Sequence, residues 1–189
     1  MTGHGAEDGR TAETAPGALA KDATFEQVCE VALPRLYAFI RAQVASRDLA
    51  RELLARVFLK AVQRWAGRRC SDATLHWLFR AARTTVIDYW RVEGKGSRIH
   101  VPLDELKEPA ARTQNPEQTY AAKERQATLL LAMSDLDEDD RSLLALKFAG
   151  QRTNRQIAQI LNVSEAVVSM RLLRGLRKLR KRLDGMGVT

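Results

Sequence analysis

The chain has few cysteines and no long apolar run. It contains two Cys among 189 residues, and Cys29 and Cys70 do not have metal-ligand spacing. Two thiols are too few for a disulfide framework and are typical of a reducing compartment. No apolar stretch approaches the roughly 18 residues that cross a bilayer, and the N-terminus shows no secretion signal. We therefore predict a cytoplasmic protein without membrane contact.

Recognisable catalytic sets are also missing. Ser71, Asp72 and His76 are close in sequence, but no pattern orients them as a catalytic triad. The acidic run from Asp135 to Asp140 lacks the ligand order and the glycine of a calcium loop, and helix capping explains it better. The sequence therefore predicts no enzyme activity, no metal site and no cofactor.

No segment has the alternating pattern of a defensible strand. Apolar residues recur at helical spacing from Phe25 to about Val92. The first stretch, up to Val44, fits one helix or a pair broken near Pro34, and further helices are predicted from Asp48, from about Ala73 and from Glu117 onward. Residues 1–22 lack periodicity and predict a disordered tail, whereas residues 95–118 hold three prolines and predict a flexible linker. The expected fold class is all-α, with two small helical domains at 23–94 and 119–185.

Positive charge is concentrated in two blocks. The net charge is +8 and the pI is near 9.9. Residues 25–98 contain 14 Lys and Arg against 7 Asp and Glu, and residues 150–189 contain 9 against 2. A strongly basic chain favours a polyanionic partner. Two basic blocks separated by acidic spacers indicate two separate contacts with nucleic acid.

A helix-turn-helix is the most specific pattern in the chain. Thr153 and Gln156 form a capping box, Asn162 suits a left-handed turn, and Ser164 caps a second, strongly basic helix. A solvated basic helix at the end of a bundle is the simpler interpretation, but it leaves these coincident signals unexplained. The second helix carries one predicted apolar stripe, formed by Val168, Leu172, Leu176, Leu179 and Leu183.

Three segments together resemble the extracytoplasmic-function sigma factors, the two-domain promoter-specificity subunits of bacterial RNA polymerase. Asp48 to Ala61 is similar to the family's core-polymerase-binding helix, and Trp77 to Arg91 is similar to its promoter-melting helix. Leu136 to Leu183 looks like its −35-reading domain. The resemblance implies that the chain binds core polymerase at the largest subunit's coiled-coil and recognises −35 and −10 promoter DNA. It also implies promoter opening and, as is common in the family, an anti-sigma partner.

The resemblance also implies three sets of site residues, all of which are expectations at this stage. A −35 contact would come from Arg155, Ser164, Glu165, Ser169, Met170, Arg171, Arg174 and Lys178, with Arg171 the best guanine reader. A −10 and melting surface would come from Arg68, Arg69, Ser71, Asp72, His76, Arg80, Arg83, Thr84, Trp90 and Arg91, with residues 67–73 as a base-holding loop. Core polymerase would contact Asp48, Glu52, Leu53, Leu54, Val57 and Phe58.

Departures from the family pattern keep an alternative open. Arg51, Ala55 and Arg56 stand where the family has acidic or polar residues, and like charge would weaken the grip on a basic coiled-coil. The second hypothesis is therefore a helix-turn-helix transcription regulator that binds DNA without joining polymerase.

Overall fold

The computed structural model describes residues 23–44, 46–92, 125 and 127–187. The helices are α1 (Phe25–Arg41), α2 (Arg47–Trp65), α3 (Asp72–Val92), α4 (residues 127–134), α5 (Glu138–Leu144), α6 (Asn154–Leu161) and α7 (Glu165–Gly185). Within these ranges the extended pairing is limited to one isolated bridge between Ala23 and Cys70. The predicted all-α class is confirmed, while the predicted N-terminal tail and linker lie outside the described residues.

Helices α1, α2 and α3 form the N-terminal half. Thr24 and Gln27 make a capping box at the start of α1, and the helix runs without interruption through Pro34, so the segment is one helix and not a pair. Buried apolar side chains from all three helices meet in a common core. At its centre the rings of Phe39 and Phe79 pack edge to face with centroids 5.8 Å apart.

The break between α2 and α3 is shorter than the sequence suggested. Gly67 has a φ of 69°, in the left-handed region that glycine adopts at little cost. The Cys70 N–H then donates to the Ala23 carbonyl over 2.9 Å, which ties this loop to the residue just before the N-cap of α1. Asp72 and Ala73 were expected in this loop but belong to the first turn of α3. An acidic Asp72 is favourable at a helix N-terminus.

Helices α4 to α7 form the C-terminal half. The Asp137 side chain accepts a hydrogen bond of 2.8 Å from the Asp140 N–H and caps α5, so the acidic run serves helix capping as predicted. After α5 the chain makes a π-helical turn over residues 145–149. It then passes through Gly150 and Gln151, which has a φ of 52°, before α6 begins.

The helix-turn-helix formed by α6 and α7 agrees closely with its sequence signals. The capping box of Thr153 and Gln156 is present, and Asn162 is left-handed with φ 55° and ψ 51°. The Ser164 side chain accepts from the Val167 N–H over 3.3 Å. The predicted apolar stripe is partly wrong, because Leu176 is 40% exposed. Gly175 faces α5 instead, since a Cβ there would lie 3.6 Å from the Leu144 side chain.

Candidate nucleic-acid and polymerase interfaces

The exposed face of α7 is the first candidate DNA interface. Glu165 and Ser169, both expected to approach bases, are exposed near its N-terminal end, and Met170 is 65% exposed. The same face continues to Leu173, which is 52% exposed, and Arg177. Sequence reasoning missed Leu173 because an apolar residue in a helix-turn-helix is expected in the core. We call the outward surface of Glu165, Ala166, Ser169, Met170, Leu173 and Arg177 the α7 outer face.

A hydrogen-bond chain fixes one side chain of this face. The Lys147 ammonium donates to the Asn154 amide oxygen over 2.8 Å, and the Asn154 amide nitrogen donates to Ser169 Oγ over 3.0 Å. Ser169 therefore accepts from the protein, which leaves its own O–H available to donate to a phosphate or to a base acceptor. Asn154 begins α6, so the first helix of the motif orients a side chain of the second.

Three predicted DNA contacts lie on another flank of α7. Arg174 pairs with Asp140 at 3.3 Å, and Lys178 donates to Asp137 at 2.7 Å and to Asp140 at 2.6 Å. Asp140 is only 1% exposed and needs such partners. Hydrogen bonds to the two carboxylates raise the pKa of Lys178. Arg171 lines a small cleft of about 130 Å³ toward α5. These cations therefore face α5, and sequence periodicity could not reveal that acidic partner.

The other two predicted −35 contacts, Arg155 and Ser164, lie at the N-terminal ends of α6 and α7. Arg155 is exposed on α6, where a cation is able to meet a phosphate. The Ser164 side chain is already used as the α7 cap, although its backbone position at the helix N-terminus also suits a phosphate.

The loop of residues 66–71 and the start of α3 present most of the predicted −10 residues to solvent. Arg68, Arg69, Ser71 and Asp72 are exposed there, and Thr84 and Arg91 are exposed further along α3. Arg80, which is also exposed, donates hydrogen bonds to the Ile160 and Gln159 carbonyls of α6, and Arg83 pairs with Asp139 of α5. The loop residues thus lie together at the start of α3, whereas the two central arginines of α3 contact the C-terminal half.

The aromatic residues near this loop are mostly structural. The rings of Trp65 and Trp77 pack edge to face with centroids 6.5 Å apart, and the Arg64 guanidinium lies 5.6 Å from the Trp77 ring. Trp90 packs against the core, with its indole nitrogen buried and no acceptor within the described residues. His76 is half-buried, and desolvation lowers its pKa, with Arg152 and Arg80 acting in the same direction and Asp72 opposing.

The outward surface of α2 is a third candidate interface. Asp48 and Glu52 are exposed, whereas Leu53 and Val57 are completely buried in the core of the N-terminal half and cannot meet a partner in this fold. Leu54 and Phe58 are half-buried against that core. Two exposed apolar side chains that the sequence motif did not indicate, Leu59 and Val62, lie on the same side of α2 as Glu52. We call Asp48, Glu52, Ala55, Leu59 and Val62 the α2 outer face; Leu59 is 62% exposed and Val62 is 47% exposed.

Both acids of the α2 outer face are paired with arginines of the same helix. Arg51 lies 2.8 Å from Asp48, and Arg56 lies 2.6 Å from Glu52. All four side chains are more than half exposed, so these ion pairs are weak in water. The two arginines among the three departures from the family pattern therefore act locally, by pairing with the acids of the same helix.

Within the described ranges no helix is long and apolar enough to cross a membrane. In the same part of the chain, His, Cys, Asp and Glu form no group of three or more that could hold a metal ion. Cys70 is buried, and desolvation raises the pKa of the half-buried Cys29 to about 11, with Glu26 and Cys70 contributing. A thiol with such a pKa is largely protonated near neutral pH and reacts slowly.

Fold and surfaces together define a two-part helical protein with a C-terminal helix-turn-helix. The family model for sigma-70, region 4 matches residues 132–181. A probable RNA polymerase sigma factor of Xanthomonas campestris, RfaY, is 32% identical over 153 residues, which cover 77% of this chain and 36% of that protein. The sigma factor SigM of Bacillus subtilis, of the extracytoplasmic-function type, is 27% identical over 158 residues, covering 83% of this chain and 93% of SigM.

A solved structure supports the same assignment at the level of the fold. The sigma factor RpoE of Bartonella quintana, in complex with the anti-sigma factor NepR, aligns with a TM-score of 0.60 and 20% identity. The alignment covers 85% of this chain and 96% of RpoE. These matches confirm the resemblance drawn from the three motifs: the chain is similar to sigma factors of the extracytoplasmic-function type. They favour this interpretation over the stand-alone transcription regulator.

Proposed function

We propose that the chain joins core RNA polymerase, directs it to promoters with −35 and −10 elements, and helps to open the duplex. The observation that carries the proposal is the placement of three separate outward surfaces on one chain with a sigma-70 region 4. The α2 outer face would bind polymerase, the loop of residues 66–71 with α3 would bind −10 DNA, and the α7 outer face would read the −35 element. The protein would act in the cytoplasm, as a binding factor without catalysis of its own.

Duplex recognition follows from the geometry of α7. A helix enters the major groove with its N-terminal residues toward the base edges. Ser169 and Met170 are well placed for bases because they are exposed in the first two turns, with Ser169 oriented by Asn154. Arg177 lies two turns beyond Met170 on the same face and would meet a phosphate. Arg171, expected from the sequence to read guanine, would have to leave the cleft beside α5 to do so.

Strand opening requires cations along the backbone and a surface for unstacked bases. Arg68 and Arg69 supply exposed charge beside Ser71, whose hydroxyl would hydrogen-bond a flipped base. A loop presents backbone and small polar groups in a way that a continuous helix face does not. Helix α3 extends this surface through Thr84 and Arg91.

An anti-sigma factor is the further partner that we propose. The support is the Bartonella relative of the same fold, whose structure contains one. The described part of the chain offers a mostly apolar groove of about 530 Å³ between α1, α4 and the π-helical turn, with Phe148 61% exposed at its edge.

Transcription with purified components tests the proposed function. Core polymerase with this chain should give discrete run-off transcripts from a genomic fragment library, and core polymerase alone should not. The chain should also co-purify with core enzyme. DNA binding without polymerase association would instead support the stand-alone regulator.

Arg177→Ala should weaken binding to matched and mutated −35 duplexes alike and lower the slope of log affinity against log salt by about one unit. The reason is the loss of one phosphate contact from the α7 outer face. Arg174→Ala is the matched control, since it removes an arginine of the same helix that pairs with Asp140. An equal decrease in slope for both variants, measured by fluorescence anisotropy, would contradict the assignment.

Arg56→Gln should strengthen association with core polymerase by a few fold, because it frees the Glu52 carboxylate for a basic partner. The effect should diminish at high salt, where exposed charges are screened. Arg180→Gln is a control of equal charge change, since Arg180 lies on α7 and approaches Asp184 at 3.9 Å. Competition for core enzyme against a labelled sigma factor measures the difference; no gain for Arg56→Gln over Arg180→Gln would show that Glu52 is not used.

A further inference from the structure

An apolar stripe runs along the exposed side of α7. Ala166, Met170 and Leu173 are all exposed and are spaced by four and three residues, so they lie in one row on the helix surface. The buried residues of α7 include Val168 and Leu172, which helical spacing places on the opposite side. The stripe is therefore not part of the core, and it occupies the middle of the α7 outer face.

Positive charge flanks this stripe without entering it. Every Lys and Arg of α7 lies at Arg171 or beyond, and the α7 outer face carries a cation only at its last member, Arg177. On the neighbouring helix α6, Arg155 is exposed. The pattern suits a helix whose first turns face base edges while cations around them meet phosphates. The flanking cations favour a polyanion over a neutral protein surface as the occupant of the stripe.

The major groove of DNA offers an apolar group at one base. Guanine, adenine and cytosine present hydrogen-bond donors or acceptors there, whereas thymine adds a C5-methyl group. An apolar side chain against a G·C pair would remove polar edges from water without replacing their hydrogen bonds, which costs free energy. Contact with a thymine methyl removes apolar surface of both partners from water, which is favourable.

We infer that Met170 and Leu173 select thymine, through its C5-methyl group, at neighbouring positions of the −35 element. Residues three apart on a helix have Cβ atoms roughly 5–6 Å apart, and successive bases of a strand rise about 3.4 Å, so the two side chains reach neighbouring base pairs. The inference rests on the proposed function, which brings the α7 outer face to the −35 duplex. It adds which base that face selects.

The hydrogen bonding of Ser169 favours the same base. Ser169 lies one turn before Leu173, so the two side chains are neighbours on the helix surface. Its Oγ accepts from the Asn154 amide over 3.0 Å, and its O–H is available to donate. Thymine presents the O4 acceptor beside its methyl group, whereas cytosine presents an amino donor there. A serine next to a leucine therefore discriminates against cytosine both by hydrogen bonding and by apolar contact.

Removing a single methyl group from the DNA tests the inference. Duplexes with a randomised centre are selected by the full chain, both free and bound to core polymerase, and each thymine of the selected sequence is then replaced in turn by deoxyuridine. Deoxyuridine keeps the hydrogen-bonding groups of thymine and lacks only the methyl group. At one or two neighbouring positions the replacement should weaken binding roughly fourfold, as expected for burial of one methyl-sized group.

Alanine variants identify the side chains responsible. Leu173→Ala should bind the thymine and deoxyuridine duplexes equally at one position, and Met170→Ala should do so at the other. Leu176→Ala is the matched control, since Leu176 is an exposed leucine of the same helix that lies outside the α7 outer face. It should retain the roughly fourfold preference for thymine. Circular dichroism checks that all three variants are folded.

Each alternative gives a different result. A selected sequence in which no thymine depends on its methyl group would overturn the inference and leave the −35 role of α7 standing. Selection of no sequence, or equal weakening of both duplexes by Leu173→Ala, would also overturn it. If the alanine variants lose core-polymerase binding or self-association and keep the thymine preference, the stripe binds a protein. Failure of the unmodified chain to support transcription overturns the proposed function instead, because selection by the free chain does not require polymerase.

Discussion

Leu59→Glu should reduce the affinity for core polymerase by roughly 2–4 kcal/mol, or at least about thirtyfold. Leu59 is 62% exposed on the α2 outer face, so the fold does not depend on burying it. In a complex, the leucine would be removed from water, whereas a glutamate would have to be desolvated there. Competition binding to core enzyme gives the affinity, and circular dichroism confirms that the variant is folded.

Leu33→Glu is the matched control for this prediction. Leu33 is 48% exposed on α1, in the same half of the molecule, and the substitution has the same chemistry. It should change the affinity for core polymerase less than about twofold, within the range of ordinary surface substitutions. If Leu59→Glu binds core enzyme as tightly as Leu33→Glu does, polymerase does not contact the α2 outer face.

Exchanging residues 67–71 for the loop of a related sigma factor should change which −10 bases support opening. The expected change in discrimination is about 1–3 kcal/mol at the affected base, as for a lost or gained set of base hydrogen bonds. The reason is that the loop contains a left-handed Gly67 and exposes Ser71, whose hydroxyl would reach a flipped base. Permanganate footprinting on promoters with single −10 substitutions measures the change, and −35 preference should stay the same.

The double variant Arg68→Ala and Arg69→Ala is the control for the loop exchange. Removing the two charges should slow opening of a fully paired promoter, because unpairing costs a few kcal/mol per step and phosphate contacts help to offset that cost. A premelted −10 bubble should restore this variant but should leave the altered preference of the loop exchange in place. If the −10 preference is unchanged after the loop exchange, the bases are selected by α3 around Thr84 and not by the loop.

The features of the fold that the sequence predicted correctly are those whose signals are local. Helix capping depends on residues three positions apart, so Thr153, Asn162 and Ser164 could be placed without any tertiary information. The break after α2 was also predicted from local signals, although Asp72 and Ala73 belong to α3 and not to the loop. The three motifs were specific for their family because their order and spacing along the chain are themselves sequence properties.

The sequence by itself determined that this protein is helical, that it carries a helix-turn-helix, and that it resembles the extracytoplasmic-function sigma factors. Only the tertiary structure decided which side of each helix meets solvent. Leu53 and Val57 turned inward and Leu59 outward, because helical period fixes spacing but not the direction of the core. Tertiary packing also pairs Lys178 with Asp140 and hydrogen-bonds Arg80 to the end of α6. Such contacts between distant segments form only after those segments are packed together, so the sequence alone could not reveal them.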